Sequence, residues 1–545
     1  EHSFDESNVS RIHNEQKSEI AVDHWNRYSS DIDLMNDLGV SHYRFSIEWS
    51  RIEPKKGEYD PKAIDHYRTM CEEMVLKNIT PVITLHHFTN PIWFEEMGAF
   101  EKEENSAYFL KFCEVIYEEL SDIVPIWCTF NEPSVYVAQG YFQGIFPPGK
   151  KDPVLAGIVL ENMLNTHVAV YKKLKSLPNG DKVQIGLVKN IFQFDPSRRW
   201  NLVDWIFSIL LNDIYTNEPL KYLKTGKSSF YLPGMVDREI SNPDAVKSLD
   251  FIGLNYYARL FVKGRIGSKE PFELVQREGD VLTDMGWPVY PEGFYKALKK
   301  VNELGLPIYV TENGIADESD KIRPMFIKKY LYAMDKAMSE RIDVRGYFYW
   351  SLMDNFEWAE GYDGKFGLYN VDRVTLERNL REGSKAFIEI VNKKGADERG
   401  YIVSVGDKAP DFEIKYTTGE LESLSNLQGK VVILQFTASW CSVCRMEMPY
   451  LEKDIWQTYK NKNVHLIGID RGEPIETVKR FKKQMKITYP LALDIDEKIF
   501  ELYADRNAGV TRNIVIDQNG NIVFLTRLFE EKEYNEMLEV IKSLL

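Results

Sequence analysis

Residues 125–133 read Pro-Ile-Trp-Cys-Thr-Phe-Asn-Glu-Pro, and residues 307–314 read Pro-Ile-Tyr-Val-Thr-Glu-Asn-Gly. Each is a short apolar run, of the kind buried in a parallel sheet, that ends abruptly in polar residues including a carboxylate. Similar runs lie at 43–47, 81–87, 184–188, 251–257 and 346–352, separated by amphipathic stretches such as 63–76 and 106–120. Repeated strand–helix units argue for a parallel sheet covered by helices. Seven such units over about 350 residues are too many for a small doubly wound domain and suit a (β/α)₈ barrel with long loops. Only seven strands are legible.

In such a barrel the chemistry sits at the C-terminal ends of the strands. Here those ends carry Asn131-Glu132, Thr311-Glu312-Asn313, His86-His87, Tyr256-Tyr257 and, beside Tyr43, Arg44. One carboxylate after an apolar strand reads equally well as a helix cap. Two of them, with Asn, His, Arg and Trp on other strand ends, read as a catalytic constellation.

Residues 20–390 resemble glycoside hydrolase family 1, the β-glucosidase and β-galactosidase family. The matching motifs are YRFSIEWSRI (43–52), TFNEP (129–133), DFIGLNYY (250–257), YVTENG (309–314) and GYFYWSLMDNFEWAEGY (346–362), in the family's order. The resemblance implies a (β/α)₈ barrel and retaining hydrolysis by two carboxylates. It implies Glu312 as nucleophile, Glu132 as general acid and base, and Arg44 and Tyr257 as the nucleophile's supports. It further implies His87, Asn131, Trp350, Glu357 and Trp358 at the sugar. A carboxylate at Glu357 opposes a 6-phosphate and suits an unmodified β-linked glucoside or galactoside. Phe88-Thr89-Asn90 departs from the Trp-Asp-Leu of many members. No cofactor or metal is implied. The family's first strand bears a Gln-x-Glu-Gly-like motif, and residues 1–20 have no such pattern. The expectation is a barrel lacking that strand, with a slot between 43–47 and 346–352, and a weak enzyme as it stands.

Residues 392–402 are polar and contain Gly, and read as a linker between a barrel over 1–391 and a second α/β domain over 403–545. Strands are expected at 431–436, 464–470, 513–517 and 521–526, the last two joined through Asn519-Gly520, a strong hairpin signal. Cys441-Ser442-Val443-Cys444 follows a strand and opens a helix expected over 445–459. A thiol at a helix N-terminus meets aligned N–H dipoles that favour thiolate, and a second thiol one turn on can resolve a mixed disulfide. A metal site would need a second ligand pair, which this domain lacks. Residues 403–545 resemble the thioredoxin superfamily, closest to TlpA/ResA-like thiol–disulfide oxidoreductases, through VGDKAPDF (405–412), GKVVILQF (429–436), WCSVCRMEMP (440–449) and IVIDQNG (514–520). This implies Cys441 as attacking thiol, Cys444 as resolving thiol and a thiol or disulfide partner protein. Thr511 stands where the family places a cis-proline. A peroxiredoxin is the rival, without its Pro-x-x-x-Thr-x-x-Cys signature.

The chain has 545 residues, 44% hydrophobic and 28% charged, which excludes a mainly disordered protein. Its net charge of −15 gives no electrostatic footprint for nucleic acid. No run of about 18 apolar residues occurs, so no membrane span is expected. Cys71, Cys113 and Cys128 sit among apolar residues and read as buried thiols. The compartment is left open between cytoplasm and periplasm. The competing reading is a weak, carbohydrate-binding barrel whose partner domain carries the redox chemistry, oxidoreductase or peroxiredoxin-like.

Overall fold

The computed structural model describes residues 10–234, 236–268, 270–392, 397 and 399–545. The chain divides into two compact units, Glu1–Val391 and Asn392–Leu545.

In the first unit seven parallel strands follow one another in chain order: β1 (His42–Ser46), β2 (Thr80–His86), β3 (Ile126–Asn131), β4 (Gln184–Asn190), β5 (Phe251–Asn255), β6 (Ile308–Asn313) and β7 (Val344–Tyr349). The helices α1 (His24–Leu38), α2 (Pro61–Leu76), α3 (Ser106–Leu120), α4 (Pro153–Lys175), α5 (Leu202–Asn212), α6 (Pro291–Val301), α7 (Arg323–Ser339) and α8 (Lys385–Val391) lie before, between or after them. Local chemistry sets several starts. Asp60 and Asp152 accept bonds from the first-turn amides of α2 and α4, and Pro61 and Pro153 occupy the first helical position, where an N–H is not needed. All six residues of β3 are buried, as a strand covered on both faces requires. Phe94, Phe109 and Phe112 pack against Trp49, and Phe100 and Phe130 pack behind them on Phe109, none exposed beyond 2%. Each such ring stabilises by about 1.5–3 kcal/mol relative to leaving it in water.

Among the described residues the sheet does not close by pairing. β1 and β7 are its two edges, and between them lies a slot of about 510 Å³ lined by Tyr43, Phe45, Tyr347 and Tyr349. The seven strands and the slot agree with the sequence expectation. Two details differ from it. β7 ends at Tyr349 rather than at residue 352, because Ser351 bonds instead to the segment at 366–368, its N–H donating to Phe366 O and its carbonyl accepting from Leu368 N. The closing helix, expected over 380–391, begins only at Lys385, since Arg378–Leu380 pairs with Tyr369–Val371 as a two-stranded ribbon. Helix α4 is long and apolar enough to cross a membrane by length and composition, which the sequence reading did not expect. It is a core helix, with Val159, Met163, Leu164, Val168 and Val170 buried in the barrel's hydrophobic cluster.

The second unit has a five-stranded mixed sheet of β8 (Val431–Thr437), β9 (Val464–Arg471), β10 (Leu491–Asp494), β11 (Arg512–Ile516) and β12 (Ile522–Arg527), in the order β10-β9-β8-β11-β12. β8, β9 and β10 are parallel, β11 runs antiparallel beside β8, and β12 runs antiparallel beside β11. This is a thioredoxin-like arrangement, flanked by α9 (Ser442–Tyr450), α10 (Ile475–Met485) and α11 (Glu531–Ser543). The helix expected over 445–459 is not uniform. Pro449 lacks the N–H of an ordinary helical residue, and from Leu451 to Trp456 the chain takes a π-helical turn. The β11–β12 hairpin turns through five residues, 517–521, rather than the expected three, 518–520, and Asp517 Oδ1 accepts from the amides of Asn519 and Asn521. Of the expected linker 392–402, residues 393–396 and 398 lie outside the described residues. Tyr401 is buried and donates to Thr526 O, so packing in the second unit already begins inside that segment.

Candidate active site

The C-terminal ends of the barrel strands surround a cavity of about 490 Å³. Its wall includes His87, Asn131, Glu132, Tyr257, Glu312, Trp350, Glu357 and Trp358, every expected barrel site residue except Arg44. Arg44 lies beneath them. Its Nη1 donates to Glu312 Oε1 at 2.6 Å and its Nη2 to Asn131 Oδ1 at 2.7 Å. Tyr257 OH donates to Glu312 Oε2 at 2.9 Å. Both oxygens of Glu312 are therefore held, one by a cation and one by a neutral hydroxyl whose ionisation burial pushes far up. Strand register makes this possible: Glu312 stands opposite Asn255 on β5, and Tyr257 follows two residues on.

Glu132 is treated differently. It caps the short helix Pro133–Val137 with a left-handed backbone, φ 48°, a conformation costing a non-glycine residue about 1–3 kcal/mol. Its N–H donates to Val188 O, and Oε1 accepts from Asn255 Nδ2 at 2.7 Å and Asn190 Nδ2 at 3.1 Å. Burial, then the charge of Glu312, raises its pKa to about 8. The two carboxyls thus face one cavity with different partners, a cation and a hydroxyl on Glu312 and two side-chain amides on Glu132, the kind of asymmetry that separates a nucleophile from an acid. Lys189, one residue before Asn190, is fully buried over the Tyr215 ring at 4.2 Å, and desolvation brings its pKa down to about 7 against the pull of Glu132.

His87 is neutral. Burial and the Arg44 charge hold its pKa well below the usual histidine range. Asn131 Nδ2 donates to His87 Nε2 at 2.9 Å, so the ring proton sits on Nδ1 and points to Ser46 Oγ at 3.0 Å. Glu357 is raised to about 8, first by burial and then by Glu312, and its Oε2 has no hydrogen-bond partner. Phe88, Phe146, Phe192 and Trp287 line the cavity's aromatic walls. Gly314 is obligatory: a Cβ there would lie 1.7 Å from Trp350 O, so any side chain would displace the cavity wall.

The sequence reading missed Asn190, Asn255 and Lys189. Asn190 and Asn255 carried a visible signal, since each ends a buried strand as a polar residue. Among the described residues no three His, Cys, Asp or Glu side chains converge on a metal-sized point.

In the second unit Cys441 caps α9, with its sulfur accepting from Cys444 N at 3.2 Å. Both thiols are free, and Thr511 Oγ1 lies 3.1 Å from Cys441 Sγ and 3.2 Å from Cys444 Sγ. The Cys444 thiol, then Thr511 and the helix amides, bring Cys441 down to about 6, while Cys444 is pushed far up by the Cys441 sulfur and by burial. Glu447, also missed from sequence, is buried beneath the pair. Asn513 Nδ2 and Gln435 Nε2 donate to it at 2.6 and 3.1 Å, and burial raises it to about 7. Such a group can hold or release a proton beside the dithiol.

Residues 2–396 match the profile of glycosyl hydrolase family 1. The chain belongs to this family. A β-glucosidase A from Acetivibrio thermocellus is 33% identical over 403 residues, covering 69% of this chain and 88% of the relative. Among solved structures, the β-glycosidase from Pyrococcus horikoshii is 39% identical with a TM-score of 0.63, over 68% of this chain and 85% of that one. The β-glucosidase from Thermotoga maritima in complex with castanospermine is 30% identical with a TM-score of 0.64, over 71% and 91%. The family 1 barrel is followed by an AhpC/TSA family domain over residues 405–525, of the thioredoxin superfamily.

Proposed function

We propose that the family 1 barrel hydrolyses unphosphorylated β-linked glycosides with net retention, and that the second unit exchanges electrons with a partner through Cys441 and Cys444. One observation carries the first reading: Arg44 and Tyr257 hold both oxygens of Glu312, while Glu132 is raised to about 8. Glu312 attacks the anomeric carbon as Glu132 gives its proton to the glycosidic oxygen. The bond to the leaving oxygen breaks, the aglycone departs as an alcohol, and the sugar remains esterified to Glu312. Esterification removes the anionic charge that helps hold the proton on Glu132. Glu132, now ionised, takes a proton from water, water attacks the anomeric carbon, and Glu312 is freed. Asn131, held by Arg44 and His87, is positioned for the sugar 2-hydroxyl. Buried Glu357, with an acceptor oxygen that has no partner, suits sugar hydroxyls, and in its ionised form it would oppose a phosphate dianion. The β-glucosidase names of the relatives support this substrate class.

Proton NMR of the first-formed sugar tests the reading. The β anomer is expected first, and Glu312→Ala should lose at least about 10³-fold in rate. An initial α product, or a largely active variant, would overturn it.

In the second unit the Cys441 thiolate attacks a partner disulfide. Cys444 then attacks the mixed disulfide, releasing a reduced partner and leaving the Cys441–Cys444 disulfide. The AhpC/TSA match favours a second reading, in which Cys441 reduces a peroxide to the alcohol, becomes a sulfenic acid, and condenses with Cys444 to release water. Insulin reduction with no peroxide consumption supports the first; peroxide consumption lost in Cys441→Ser supports the second.

A further inference from the structure

Helix α5 turns its apolar side outward. Leu202, Trp205, Ile206 and Ile209 have the i, i+3, i+4, i+7 spacing of one helical face, and they are 73%, 44%, 46% and 55% exposed. Trp200, just ahead of the helix, is 81% exposed. The inward face carries the polar residues instead. Asp204 is fully buried and accepts from Arg198 N, Nε and Nη2 and from Gly264 N, and Asn212 exchanges hydrogen bonds with the backbone of Phe194. These bonds fix the rotation of the helix. Turning the stripe inward would break a buried ion pair. Gly264 seats against Val203 and Phe207, which brings the neighbouring Ile266, 85% exposed, to the same region of the surface. A surface helix ordinarily does the reverse, and a contiguous exposed apolar patch marks an interaction surface.

We propose that this face docks on the headgroup–acyl boundary of an anionic lipid bilayer. Its composition is that of an interfacial helix: tryptophans with aliphatic side chains on one face, and arginines at the rim. Its charge complements that partner. The described residues of 198–212 and 263–273 include Arg198, Arg199, Lys263 and Arg265 against Asp204, Glu270 and Glu273, a small local excess of cations in a chain whose net charge is −15. At 11 residues the helix is far too short to span a membrane and lies on its surface. The same connection after β4 carries Phe192, in the cavity wall, and Tyr215, whose hydroxyl donates to Asn190. Docking therefore holds the barrel by the end that bears its chemistry.

The test is flotation of the full chain with phosphatidylcholine vesicles, with and without about one third phosphatidylglycerol. The chain is expected to float with the anionic vesicles and to be released by salt. Leu202→Ser/Ile206→Ser/Ile209→Ser should weaken binding at least about tenfold, with melting temperature and activity on a water-soluble glycoside unchanged. Arg199→Glu, which touches no core contact, should weaken it separately. Absence of flotation overturns the proposal, as does undiminished flotation of the folded triple variant. Concentration-dependent self-association that is lost in the triple variant, without vesicle binding, would instead make this face a contact between copies of the chain.

Discussion

Replacing Asn190 by Leu should move the alkaline limb of the glycosidase pH profile upward. Asn190 Nδ2 is one of two donors to Glu132 Oε1, and such a bond favours the ionised carboxyl. Its loss leaves burial and the Glu312 charge, both of which favour the protonated form, less opposed. A hydrogen bond to a charged group is worth about 1.5–3 kcal/mol, and about 1.4 kcal/mol corresponds to one pH unit. At 3.1 Å and with Asn255 still in place, the low end applies, so the limb should rise from near pH 8 by about one unit. The assay is kcat/KM from pH 5 to 10 on an alkyl β-glucoside, whose poor leaving group needs the proton that Glu132 holds. The substitution also strands the Tyr215 hydroxyl, which donates to Asn190 Oδ1 at 2.8 Å, so Tyr215→Phe serves as the control for that loss. The Arg44 and Tyr257 contacts to Glu312 are untouched by either substitution. An alkaline limb that is unmoved or falls would refute the assignment of Glu132 as the titrating acid.

Other outcomes follow from the same geometry. Iodoacetamide at mildly acidic pH should label Cys441 before Cys444, with half-maximal rate near pH 6; Thr511→Val removes a hydroxyl that favours the thiolate, and should raise that midpoint. Glu357→Ala should raise KM for an unmodified β-glucoside by about two- to tenfold, the scale of a lost neutral hydrogen bond, and an unchanged KM would count against its place at the sugar. Gly314→Ala should yield little folded protein on expression, since the Trp350 carbonyl occupies the place of the new methyl group; a normal melting temperature would refute that packing argument.

Much of this molecule is legible from local pattern. Apolar runs with a period suited to buried strands, Asp-Pro helix starts at 60–61 and 152–153, and polar residues crowding the strand ends are properties of neighbouring residues, and so survive in a linear reading. The Cys-x-x-Cys placement after a strand is of the same kind. What tertiary structure decided is what depends on register between distant strands. Arg44 meets Glu312 across 268 residues, and Asn255 bridges to Glu132 across 123, because parallel strands bring their ends to one rim. No local rule marks Lys189 or Glu447, whose shifted acidity comes from burial beneath elements distant in sequence. Helix α5 is the clearest case. Its sequence shows an apolar stripe but not which way it faces, and the hydrogen bonds of Asp204 and Asn212 to the neighbouring backbone turn that stripe toward solvent.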